Sequence, residues 1–165
     1  MVNRDRDTEG RARNARPRDA FGRPMPHGSQ GEERVPEDIV LEPAESLAEA
    51  QRLLDSGHPF HAHEVLEGAW KAAPSHERDL WQGLAQVAVG LTHAQRGNAK
   101  GAVSLLHRGA ERVQPYADDP PHGISAESVT SHATELAGRI ESDGLDEITP
   151  ADLDPRLTRQ PQHRG

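Results

Sequence analysis

Along the middle of the chain, leucine and alanine recur at intervals of three and four, and the recurrence breaks at glycine and proline. That spacing puts apolar side chains on one side of a 3.6-residue helix. Leu47, Ala50, Leu53 and Leu54 predict a first helix that stops at Ser56-Gly57, glycine being a C-terminal stop. His58-Pro59 opens a second, since proline is tolerated in a first turn, and Pro74 closes it after Ala73. A third starts at Ser75 or His76, carries Leu80, Leu84, Val87, Leu91 and Gln95, and ends at Gly97. Asn98 is a good N-cap for a fourth, with Ala102, Leu105, Leu106 and Val113, stopped by Pro115. Ser125 can cap a fifth, whose Val129, Ala133, Leu136 and Ile140 form one stripe. No stretch alternates as a strand would. The expected fold is all-α: a compact antiparallel bundle of about five helices, or stacked helical hairpins, over residues 36–141.

The flanks read differently. Residues 1–35 are rich in Arg, Gly and Pro with little to bury, and are expected to be a disordered, solvated tail. Residues 142–165, acidic and interrupted by Pro150, Pro155 and Pro161, are expected to be a second flexible tail. Aromatic residues make up 3% of the chain, so the core must be built from Ala and Leu in closely packed helices.

Charge and composition exclude several classes. There is no cysteine, hence no disulfide and no thiolate metal site. No apolar run reaches the roughly 20 residues needed to cross a bilayer. The first 26 residues lack the apolar stretch of a secretory signal, so a cytoplasmic location is expected and no membrane partner. Residues 1–35 hold eight Arg against six acids, and the remainder 11 basic against 21 acidic residues. An acidic body repels phosphate backbones, so no nucleic-acid partner is expected.

The chemistry concentrates in His63-Glu64-Val65-Leu66-Glu67-Gly68-Ala69-Trp70, a His-Glu-x-x-Glu pattern. Phe60, His63, Glu67 and Trp70 fall in one arc of about 80° on the second helix, with Glu64 about 40° beyond. Gln82, Gln86 and His93 form a polar strip on the third, beside Gly83 and Gly90, which would let another backbone approach. In an antiparallel hairpin folded at Pro74-Ser75, facing positions sum to roughly 149. Glu67 is then expected to meet Gln82, and His63 to meet Gln86.

Two readings of that strip follow. It can be a site: His63, Glu67 and His93, perhaps with Glu64, as ligands of a divalent metal, or His63 as a base oriented by Glu67. The metalloprotease pattern with two His at i,i+4 is interrupted, because Glu67 stands where the second His would be. A diiron bundle needs a second matching motif, which the chain lacks. Alternatively the strip is a buried network that fixes packing register, with Trp70 in the core and Glu67 near Lys71. His58, His76, His107 and His132 have no partner pattern and are expected at the surface or at caps.

Three blocks occur in order: Phe60-His61-Ala62-His63-Glu64-Val65-Leu66-Glu67-Gly68-Ala69-Trp70, then Leu80-Trp81-Gln82-Gly83-Leu84-Ala85-Gln86, then Arg96-Gly97-Asn98-Ala99-Lys100-Gly101-Ala102. In these the chain resembles the prokaryotic domain of unknown function family 309, over roughly residues 45–115. Lys71 follows Trp70 where the family often has Arg, and Trp81 precedes Gln82. The resemblance implies a bacterial, compact helical bundle and no particular activity. It groups His63, Glu64, Glu67, Trp70, Gln86 and His93 as one unit.

The function expected is that of a helical module offering a face or groove to a protein or small-ligand partner. The alternative is a metal-dependent hydrolase-like enzyme centred on His63 and Glu67. The Ala-rich surface could also support a homodimer, although no heptad run specifies one.

Overall fold

A computed structural model describes residues 41–159. The tail expected at 1–35 lies outside the described residues. Five helices follow in order: α1 (Pro43–Asp55), α2 (Pro59–Ala72), α3 (Arg78–Gln95), α4 (Ala99–Val113) and α5 (Ala126–Asp143). Among the described residues there is no strand, only one isolated antiparallel bridge between Ile124 and Thr158. The all-helical class and the helix count expected from the apolar spacing are those observed.

Local chemistry accounts for the boundaries. α1 and α2 open with Pro43 and Pro59. α1 and α3 end in the same turn. Gly57 and Gly97 take positive φ, +81° and +85°, and the next residue donates back across six positions, His58 N–H to Leu53 O and Asn98 N–H to His93 O, both 2.8 Å. Asn98 caps α4, its Oδ1 accepting from Gly101 N at 2.9 Å. Ser125 stands at the N-cap of α5 without a side-chain cap bond; its backbone N–H donates instead to Leu157 O at 2.8 Å.

Each helix packs on its neighbours in sequence: α1 on α2, α2 on α3, α3 on α4, α4 on α5. α3 is the axis, with eleven of its eighteen residues buried. Ten alanines and nine leucines are among the buried hydrophobic residues, so thin side chains let helices close together. The tightest approach is α3 on α4. A Cβ on Gly109 would lie 2.7 Å from Gly83 O, and one on Gly90 3.0 Å from Leu106 N. Gly83 and Gly90 do admit another backbone, and it is that of α4.

The segment after α5 departs from expectation. Through residue 159 it folds back over the domain, and only 160–165 lie outside the described residues. Pro155 and Leu157 are buried. Gln51 of α1 donates to Pro155 O (3.0 Å) and accepts from Leu157 N (2.8 Å), while Arg156 pairs with Asp55. Arg139 holds Asp152 at 3.0 and 3.3 Å, and with the Thr149 backbone amide brings that carboxyl down to about 2. The prolines suppress helix but leave an extended strap free to bury Leu157 between α1 and α5.

Candidate functional site

The expected strip is assembled on α2, and its His–Glu pairs run along the helix. His63 Nε2 lies 3.9 Å from Glu67 Oε1, an i,i+4 pair. His61, not singled out by the pattern, places Nδ1 3.1 Å from Glu64 Oε1 at i,i+3. Both glutamates are well exposed, 38% and 40%, against 19% for His61 and 22% for His63.

Of the partners expected from α3, Gln86 is engaged by α4. Gln86 Oε1 accepts from Arg112 Nε of α4 at 3.1 Å, and Arg112 also pairs with Asp79 at 2.7 Å. Gln82 is half-buried, and among the described residues no hydrogen bond joins it to Glu67. The physical reason lies in the glycines. Gln86 stands within about 60° of Gly83 and Gly90 on the helical wheel, and those glycines face α4. The hairpin itself is as expected: Arg78 lies 6.0 Å over the Trp70 ring, a pair whose numbers sum close to 149.

His93 does not join His63 and Glu67. Its Nδ1 lies 3.2 Å from Asn98 Nδ2. Because Asn98 Oδ1 is occupied as the cap of α4, the amide nitrogen must point at His93 and donate, which makes Nδ1 the acceptor of a neutral imidazole. Burial, and then the adjacent Arg96 charge, push the His93 pKa below its ordinary value. Among the described residues no three His, Cys, Asp or Glu side chains group closely enough to hold one metal ion. The ligand set His63, Glu67 and His93 is thus not brought together.

What surrounds the strip is aromatic and cationic. The Phe60 ring has three basic groups about it: the Arg96 guanidinium at 5.2 Å, the His61 ring at 5.6 Å and the His63 ring at 5.7 Å. Gln95 Nε2 donates to Gly57 O at 2.9 Å and ties the α3–α4 turn to the α1–α2 turn at this corner. At the other end of the strip Trp70, half-buried, carries Arg78. The expected Trp70 core role passes to Trp81, which is 1% exposed.

A second cluster was not legible in the sequence. Glu77, 8% exposed, accepts from Trp81 Nε1 at 3.2 Å and from His122 Nε2 at 2.9 Å, with His76 at 3.7 Å. Burial raises the Glu77 carboxyl, but the His122 and Trp81 hydrogen bonds outweigh it and hold the pKa below its ordinary value. His122 has φ +60°, a left-handed conformation that places its ring over Trp81 at 6.0 Å. The only sequence signal was the Trp81 spacing of four from Glu77; the third member lies 45 residues on, in a loop.

Residues 47–105 match the family described as Domain of unknown function (DUF309). The matched span runs from Leu47 in the second turn of α1 to Leu105 in the first half of α4, and includes every residue of the α2 strip. A relative described as an uncharacterized protein, YpuF of Bacillus subtilis (strain 168), is 44% identical over 48 residues. That stretch is 28% of this chain and 28% of the relative, so the similarity spans little more than a quarter of either. No solved structure matches the chain.

Proposed function

We propose that this chain, similar over residues 47–105 to the DUF309 family, acts as a cytoplasmic binding module whose recognition face is the outer strip of α2. The observation that carries the reading is the contrast between α2 and α3. α2 buries only Pro59, Ala62 and Leu66, and leaves both its aromatic rings, Phe60 and Trp70, partly open. The fully buried core lies in Trp81 and the leucines of α3, with Trp70 packed against its edge and only partly covered. Partly covered large rings, each beside an arginine, are the composition of binding hot spots rather than of solvated helix faces. Between them His63, Glu64 and Glu67 supply hydrogen-bonding groups of both signs. Among the described residues no helix is long and apolar enough to cross a membrane. For the metal-dependent alternative, no third ligand joins His63 and Glu67 among the described residues, and no observation favours it over binding.

Gly68 permits a direct test, because a side chain there meets nothing within 4 Å. A photo-crosslinking amino acid at Gly68, in the full chain expressed in its native cells, should give a discrete adduct. Adduct formation should fall when Phe60 and Trp70 are both changed to Ala. The same probe at Gly138 of α5, equally unobstructed, should give none. Equal labelling from the two positions, or none from Gly68, would sink the reading.

A further inference from the structure

Arg96 is the basic group of the Phe60 cluster that lacks an acid. His61 has Glu64 at 3.1 Å and His63 has Glu67 at 3.9 Å, whereas no carboxylate among the described residues reaches Arg96. Its guanidinium lies over the Phe60 ring, 5.2 Å from the centroid. The ring's π face favours a cation but cannot accept the fork of N–H bonds that guanidinium offers. As a whole residue Arg96 is exposed, yet the surrounding protein takes water from its charged end and lowers its pKa. The adjacent His93 is held neutral by its bond to Asn98, so it adds little repulsion toward Arg96 or toward whatever Arg96 binds. The carbonyl end of α3 offsets part of the Arg96 charge, but those carbonyls are already engaged by the turn: Arg96 and Asn98 N–H groups donate to Thr92 and His93.

In the same corner, His61 Nε2 is buried with no hydrogen-bond partner, its other nitrogen being turned to Glu64. A buried ring nitrogen left unsatisfied is costly. Gln95 bridging to Gly57 ties the end of α3 to the α1–α2 turn at this corner.

We infer that Arg96, stacked on Phe60 and flanked by His61, is a receptor for an anionic oxygen group, a carboxylate or a phosphate. Such a group would accept the guanidinium fork and supply the charge that the fold withholds. The inference rests on the reading of α2 as a recognition face and adds the chemistry of what its Phe60 end takes. The Trp70 end does not depend on it.

Titration of the full chain with inorganic phosphate, and separately with acetate, tests this through the Nε–H resonance of Arg96 in nitrogen-15 spectra. Saturable movement of that resonance is expected with at least one anion, and which one saturates distinguishes the two chemistries. Arg96→Gln and Arg96→Lys should each weaken binding by about tenfold or more, followed through the His61 ring signals, because neither keeps the planar fork. A drift that never saturates and equals that of Arg108, an exposed arginine on α4, would overturn the inference. So would tight binding unchanged in both variants. If the Gly68 probe still labels a partner while Arg96 shows no saturation, the anion site fails alone and the recognition face stands.

Discussion

The two ends of α3 handle ionic groups in opposite ways. At its start a buried acid, Glu77, is satisfied by Trp81, His122 and His76, each from within the domain. At its finish a base, Arg96, is partly desolvated against Phe60 with no acid supplied. Both signs agree with the helix dipole, acid near the N-terminus and base near the C-terminus. They differ in closure. The first end is a finished hydrogen-bonded joint that pins the loop 117–124 to α3; at the second, no carboxylate among the described residues closes on the base. A polar cluster that closes on itself reads as architecture, and one that stops short of neutralisation reads as a place for something else.

The largest effect should come from breaking the closed end. Glu77→Ala leaves the Trp81 N–H and the His122 ring without their acceptor in a buried place, and is expected to cost about 1–3 kcal/mol in urea unfolding. An unchanged midpoint would mean that the joint contributes nothing and that the contrast is false.

Acid should separate the two ends by pH. The folded pKa of His93 is lowered from 6.5, so the unfolded chain takes up its proton first. The stability conferred by a neutral His93 is complete above about pH 6.5 and is lost as pH falls toward the folded pKa. The folded pKa of Glu77 is also lowered, from 4.5. Its contribution is present above about pH 4.5 and is lost only as pH falls through the folded value. Unfolding measured across this range should therefore weaken in two windows, and His93→Gln should flatten the upper one alone. Flattening of the lower window by that variant would contradict the assignment.

The smallest effect should be that of Arg96→Gln on stability. Losing the contact with Phe60 costs something, and relieving a desolvated charge returns it, so the midpoint should move by less than about 0.5 kcal/mol. A loss as large as that of Glu77→Ala would show that the open end is structural too.

Much of the fold was written locally. The turns at Gly57 and Gly97, the proline starts of α1 and α2 and the Asn98 cap depend on residues within a few positions of one another, where helix periodicity and backbone restriction act directly. The α2 strip was legible for the same reason: Phe60, His63, Glu67 and Trp70 share a face by spacing alone. What spacing could not tell was which neighbour each face would meet. Gln86 lay on a strip that fitted α2 as well as α4, and the glycine-to-glycine contact of Gly83 with Gly109 settled it in favour of Arg112. The strap was misread because prolines and acids predict the absence of helix but not the presence of Gln51, 106 residues away from Leu157, which gives the extended backbone its hydrogen bonds. Glu77 met His122 through a loop with a left-handed histidine that no pattern announced. The sequence by itself determined the elements, their ends and the face on which α2 carries its chemistry. The tertiary structure alone decided which charges are neutralised, because that requires a partner brought from far along the chain, and among the described residues none arrives at Arg96.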